Sequence, residues 1–205
     1  MTEMPPIGNA QSPQADERRG DDRVVSVLIN AGVAQAGRNA LCRIRNLSEA
    51  GMMIETRMPL AVEEEIVIQL RSGLCVSGVV RWTKDHRAGI ALHNAGAELI
   101  LIDHGQTDAS GEAGVFPRFP RHAPAFLTVN HRRSRCTLTA VSLGDALLAC
   151  SHDVAPGQIV TLAIEGLEER LAKIMQIDED VVRVGFTQPL HFKMLEQWLE
   201  IDTYQ

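Results

Sequence analysis

Apolar and polar residues alternate along most of the chain in stretches of roughly four to eight residues, each bounded by Gly, Pro, Asn, Asp or Ser. That is the pattern of half-buried strands. In the first half the stretches run from Val24 to Ile29, Leu41 to Asn46, Met52 to Glu55, Glu65 to Leu70, Cys75 to Trp82 and Ala88 to Leu92. Within Leu41 to Asn46, Arg43 and Arg45 alternate against Cys42 and Ile44. The second half repeats the order with Phe126 to Asn130, Cys136 to Val141, Leu147 to Cys150, Ile159 to Ile164, Leu171 to Asp178 and Val181 to Phe186. From Pro189 to Ile201 the period changes: Leu190, Met194, Leu195, Trp198 and Leu199 form one helical stripe. The stripe reads as core-facing, with a partner-binding helix as the alternative. Strands this short at regular intervals predict a mainly β chain folded as closed or nearly closed antiparallel barrels, which leave no exposed edge.

Breaker-rich stretches divide the chain. Residues 1–16 hold three prolines and no periodic apolar pattern, and read as a disordered tail. Residues 104–117 contain Gly105, Ser110, Gly111, Gly114 and Pro117, and read as a linker. The blocks that remain, 17–103 and 118–205, are each of domain size. A faint internal repeat relates them. Cys42 precedes Asn46 and Ser48 as Cys136 precedes Ala140 and Ser142. Met53-Ile54 falls opposite Leu147-Leu148, and Arg87 to Ala91 resembles Arg183 to Thr187.

Composition narrows the function. A net charge of −6 and 4% aromatic residues argue against a general nucleic-acid-coating protein, which needs basic surface or stacking platforms. A small anionic ligand held by local arginines stays compatible with that charge. No run approaches the roughly 18 apolar residues of a membrane helix, and Met1 to Glu17 lacks a secretory pattern, so a cytoplasmic location is expected. Cys42, Cys75, Cys136 and Cys150 are widely spaced and are expected to be small buried hydrophobes, without a metal or redox site. No nucleophile–base grouping, phosphate-cradling Gly loop or metal motif stands out, and neither Gly-Gly-Asp-Glu-Phe nor Glu-Ala-Leu occurs. An enzyme is therefore not expected.

Two short patterns carry the candidate chemistry. Arg18-Arg19-Gly20-Asp21-Asp22-Arg23 contains Arg-x-x-x-Arg at Arg19 and Arg23, and Asn46-Leu47-Ser48-Glu49-Ala50-Gly51 is an Asn-x-Ser-x-x-Gly motif at a strand end. Taken singly, the first is also what a solvated tail looks like, and the second what an Asx-type turn looks like. In this order, on an all-β pattern and with Val80-Arg81-Trp82 and Gly89-Ile90-Ala91-Leu92 further on, the block 17–103 resembles the PilZ domain family. The resemblance implies two tandem PilZ-like antiparallel barrels, each followed by a short C-terminal helix. It also implies a receptor for cyclic di-GMP, with Arg18, Arg19, Arg23, Asn46, Ser48 and Gly51 as ligand contacts and no metal or other cofactor.

The chemistry is coherent. Guanidinium forks pair with phosphate oxygens or with guanine O6 and N7, an Asn amide matches a guanine edge, and Ser adds a compact hydroxyl. Gly51 is expected to supply positive φ or close backbone approach to the ligand. Asp21 and Asp22 offset the arm's charge, and Arg38, Arg43 and Arg45 are candidates to restore it. The second block departs from the motif. Arg118 and Arg121 stand three apart, Ala140 replaces the Asn, and Asp145 stands where Gly51 would be and could repel phosphate. It reads as a degenerate domain for packing, dimerising or partner docking, with the basic run Arg132, Arg133, Arg135 as a solvated hairpin tip. A downstream protein partner is expected and a homodimer stays open. A ligand-independent adaptor, with both barrels acting only as interaction surfaces, is the competing reading.

Overall fold

The computed structural model describes residues 24–93, 96–102, 116–150 and 154–201. The tail, the arm residues Arg18, Arg19 and Arg23, and most of the expected linker lie outside them. Strands β1 (Val25–Gln35), β2 (Arg38–Ser48), β3 (Gly51–Glu55), β4 (Glu65–Gln69), β5 (Cys75–Lys84) and β6 (Arg87–Leu92) form a first closed barrel, in the order β1-β2-β3-β6-β5-β4. Helix α1 (96–102) follows it. Strands β7 (Phe119–Val129), β8 (Arg132–Val141), β9 (Asp145–Ala149), β10 (Ile159–Ile164), β11 (Arg170–Asp178) and β12 (Val181–Phe186) close a second barrel, followed by helix α2 (Phe192–Glu200). Both barrels are antiparallel throughout. Among the described residues no helix is long and apolar enough to cross a membrane.

Period-2 patterning builds each core. In β4 only Ile66 and Ile68 are buried, while Glu65, Val67 and Gln69 face out. Ile29, Val33, Ile44, Ile54, Val80 and Ile90 complete the first interior, which Ala97 and Ile100 of α1 cap. Leu127, Leu138, Leu148, Leu162, Ile174 and Val184 fill the second, capped by Leu195 and Trp198 of α2. The helical stripe is thus core-facing, as its period implied.

Three strands run further than local pattern suggests. β1 continues from Asn30 to Gln35 through weak strand formers, because β2 on one side and β4 on the other pair those residues. The turn that follows has positive φ at Ala36 (50°) and Gly37 (76°), which suits a two-residue hairpin. β2 correspondingly begins at Arg38. β7 begins at Phe119 despite Pro120 and Pro124, with a register shift between Pro120 and Ala123 absorbing the irregularity.

The two barrels share one register. All but two of the pairings of the first, Ser48↔Gly51 and Gln69↔Cys75, recur in the second 94 positions later: Gly32↔Gln69 as Phe126↔Ala163, Glu65↔Val79 as Ile159↔Lys173, and Gly51↔Ala91 as Asp145↔Gly185. Even the bulge between Val80 and Trp82 recurs between Ile174 and Gln176. The correspondence of Arg87 to Ala91 with Arg183 to Thr187 is therefore out of step by two residues. Pairing places Arg183 at the position of Gly89, and Val181 at that of Arg87.

The cysteines depart from the expectation of four buried hydrophobes. Cys42 is buried, and burial pushes its thiol far up, with Glu196 adding to the shift. Cys75 is exposed. Cys136 and Cys150 form a disulfide across β8 and β9, with Cα atoms 4.9 Å apart. The cause is the neighbouring pair Thr137↔Ala149, which sets positions 136 and 150 opposite each other although 14 residues separate them.

Helix α2 also joins the barrels. Leu41 points outward from β2, yet it is only 3% exposed and belongs to the second barrel's apolar cluster. Beside it the Arg43 guanidinium lies 4.1 Å over the Phe192 ring. Arg57 pairs with Glu196 at 3.5 Å and Glu200 at 3.1 Å. Phe192, Glu196 and Glu200 recur every fourth residue, so one stripe of α2 meets the first barrel while Leu195 and Trp198 fill the second. Because Leu41 lies outside the first barrel's own interior, Leu41→Asp should separate the barrels without unfolding them. Small-angle scattering should show an increased radius of gyration while the far-ultraviolet strand signal stays unchanged. Loss of that signal would show that Leu41 supports the barrel itself.

Candidate functional site

The Asn-x-Ser-x-x-Gly segment spans the end of β2 and the start of β3. The turn at Glu49 and Ala50 sets Ser48 opposite Gly51, and the Ser48 hydroxyl donates to the Gly51 carbonyl at 3.2 Å. A bulge between Ile44 and Asn46 resets the alternation there, leaving Asn46 half-buried at the surface. Its Oδ1 accepts from the Ser26 hydroxyl at 3.5 Å, a contact too long to bind it firmly.

Asn46, Ser48 and Gly51 line one open groove of about 410 Å³, together with Val24, Arg81, Trp82 and Gly89. Arg81 and Trp82 both reach it because the bulge between Val80 and Trp82 interrupts strict alternation on β5. The Trp82 indole is 44% exposed and lies across Gly89, where any Cβ would run into the ring. Arg81 donates to Glu63 at 2.8 Å, an exposed pair of the kind worth about 0.2–1 kcal/mol and easily exchanged.

Of the two parts its motif suggests, Gly51 does not play the first. Its φ is not positive, and a Cβ there would run into the Ile90 carbonyl oxygen of β6. Glycine is needed for the close approach of β3 to β6, and its lack of a side chain keeps the groove floor low. Arg38, Arg43 and Arg45 do not line the groove. Arg38 lies at the cavity beside α2, Arg43 donates to Asn30 at 3.1 Å and stacks on Phe192, and Arg45 pairs with Glu55 at 2.7 Å. The hydrogen bond from Arg45 holds the Glu55 carboxyl below its ordinary range. Arg18, Arg19 and Arg23 fall outside the described residues, but Val24, the next residue after Arg23, is part of the groove wall.

The match to a known family covers this barrel: residues 17–103 fit the family model described as PilZ domain. The first barrel matches the PilZ domain model over its whole length. Solved structures similar to the chain include three tandem-length proteins. PlzA of Borreliella burgdorferi in complex with c-di-GMP is 12% identical, over 87% of this chain and 93% of that one, with a TM-score of 0.37. MotI (DgrA), the inhibitor of motility of Bacillus subtilis, is 10% identical over 85% and 95%, with a TM-score of 0.36. YcgR of Escherichia coli in complex with c-di-GMP is 12% identical over 83% and 82%, with a TM-score of 0.30. Comparison with curated protein sequences returns no match.

The second barrel carries other side chains at the positions of the two groove glycines. The shared register puts Asp145 at Gly51, Arg183 at Gly89, Ser142 at Ser48, Ala140 at Asn46 and Arg118 at Val24. Asp145 is 5% exposed. It accepts from Arg118 Nε at 3.0 Å, Arg183 Nε at 2.8 Å and the Ser142 hydroxyl at 2.6 Å. Rather than standing as a bare repulsive charge, the carboxylate is neutralised and fills the space. Among the described residues, no group of three His, Cys, Asp or Glu is placed to hold a metal ion in either barrel.

Burial alone would raise the Asp145 carboxyl, but hydrogen bonds from Arg118, Ser142 and Arg183 outweigh it and hold it below its ordinary value. A carboxyl depressed in the folded state stabilises fully above its unfolded pKa of about 3.9, and that contribution is lost as pH falls through the folded value. Asp145→Asn should therefore cost about 1.5–3 kcal/mol at neutral pH, the range for hydrogen bonds to charged groups. It should also flatten the acid limb of the stability curve below about pH 4. Denaturant melts at several pH values check this; an unchanged acid limb would remove Asp145 from the account.

Proposed function

We propose that the chain is a cyclic di-GMP receptor whose PilZ barrel alone takes the ligand, and that it is a cytoplasmic, non-catalytic signalling protein. The observation that carries this reading is the open groove. It brings Asn46, Ser48 and an exposed Trp82 to a floor kept low by Gly51 and Gly89, one residue beyond the Arg-x-x-x-Arg arm. Asn46 and Ser48 offer an amide and a hydroxyl to a guanine edge and a phosphate. The Trp82 ring offers a face to a base, a contact worth about 1–3 kcal/mol. In this reading Arg19 and Arg23 supply the guanidinium forks, and Arg18 contributes to holding a second, stacked ligand molecule.

Magnitudes explain why every part is needed. Ordering about six arm residues costs on the order of 6–12 kcal/mol of backbone entropy. Charge-assisted hydrogen bonds return about 1.5–3 kcal/mol each, and micromolar affinity requires a net of about −8 kcal/mol. Several arginine contacts together with base stacking meet that requirement, and removing one arginine is enough to defeat it. In this reading, ligand folds the arm over the groove, and β2 relays the change. Asn46 and Ser48 sit at one end of that strand, and Leu41 and Arg43, which hold α2, sit toward the other. The altered angle between barrels is then what a downstream protein partner reads.

Calorimetric titration with cyclic di-GMP tests the receptor. Binding in the low micromolar range or tighter is expected, lost in Arg19→Ala and Ser48→Ala and weakened in Asn46→Ala. The stoichiometry would distinguish one ligand from a stacked pair, and emission from Trp82 should change on binding. No heat and no shift in melting temperature would leave a ligand-independent adaptor as the better account. The arm mechanism has its own test: saturating ligand should slow hydrogen exchange across residues 17–25. Binding with unchanged exchange there would refute the arm closure while sparing the receptor.

A further inference from the structure

The second barrel holds a buried carboxylate gripped by donors from three separate elements. Arg118 comes from just ahead of β7, Ser142 from the end of β8 and Arg183 from β12. In the shared register these are the positions that ring the open groove of the first barrel, with Arg118 at the place of Val24, one residue beyond the arm. Two guanidiniums converge on one acid: Arg118 with both Nε and Nη2, and Arg183 through Nε on the same Oδ2 that Arg118 Nη2 reaches. Among the described residues neither arginine has another acidic partner, so the cluster keeps one positive charge in excess. A planar fork, a second cation and a short hydroxyl around one tetrahedral-sized space make a donor set suited to a phosphate group.

We infer that Asp145 is an internal substitute for an anionic ligand, and that Arg118, Ser142 and Arg183 form a latent phosphate or phosphodiester site shut by its carboxylate. The groove of that barrel is thereby filled without ligand. Arg118, which precedes the first strand, already lies across to the β8–β9 turn, bonded to Asp145. The shut state is covalently tethered, so no concentration of a competing anion within the cell's range displaces it from the native chain. This holds whether or not the first barrel binds cyclic di-GMP.

The test is anion rescue in the full chain. Asp145→Asn keeps the shape of the side chain but removes its charge, leaving two guanidiniums facing each other. In chloride it should melt below the native protein by about 6 °C or more, as the cost given above implies for a domain of this size. Inorganic phosphate at matched ionic strength should recover half or more of that loss, while shifting the native protein by much less. Asp145→Gly/Arg183→Gly, which restores both glycines of the first barrel, should show no recovery. Where Asp145→Asn cannot be purified, Asp145→Ser serves in its place. Equal phosphate shifts in variant and native protein, or recovery by chloride alone, would overturn the latent site and leave an ordinary ion-pair cluster.

Discussion

Barrel closure is the constraint on which everything else in this chain depends. Pairing of β1 with β4 and of β7 with β10 leaves neither sheet a free edge. A one-residue slip in any strand would then turn its apolar set outward against neighbours on both sides. Register is consequently rigid enough that two domains with little sequence in common repeat nearly every pairing, and even their bulges, at one spacing. Function can change in such a frame only at outward positions. The two barrels differ most where it matters, with Gly51 and Gly89 in one and Asp145 and Arg183 in the other.

The same frame explains why β2 serves two tasks. Its inward residues Cys42, Ile44 and Leu47 hold the core, so its outward residues are free to vary. Leu41 and Arg43 meet α2, and Asn46 and Ser48 face the groove. The five residue steps from Arg43 to Ser48 span about 16 Å of strand at the usual rise. A shift at one end that a packed core cannot absorb reaches the other end as a rigid displacement. Glu196 faces the same junction. Burial raises its carboxyl, with Arg57 opposing and Glu200 adding to the rise, so the contact rests on apolar stacking as much as on charge.

Much of this was legible from residue order alone, and what was missed shares one cause. Alternation reveals strands because burial acts locally, so all twelve strands and the final helix could be read, and Asn46, Ser48 and Gly51 are legible as a site because they are neighbours in the chain. Trp82, Arg81 and Gly89 join them only through the pairing of β5 with β6, with a bulge that alternation does not announce. The disulfide between Cys136 and Cys150, the burial of Leu41 under α2 and the triple grip on Asp145 likewise depend on which strand lies beside which. The repeat of Arg87 to Ala91 shows the hazard. Residue likeness aligned it two positions away from the register that hydrogen bonds impose.

In the proposed reading, the contrast between the grooves also explains why one takes a complex ligand and the other is satisfied by a single side chain. An external ligand must offset the loss of its own translational and rotational freedom, estimated at 4–15 kcal/mol, in addition to ordering the arm. Only a molecule with several phosphates and stacking faces can return that much through a shallow groove. A carboxylate on the barrel itself carries no such cost, because folding has already positioned it. Two hydrogen bonds from its guanidinium to that carboxylate are then sufficient to hold Arg118 in place. Replacing two glycines by an acid and a base thus turns a conditional contact into a permanent one, while every strand keeps its register.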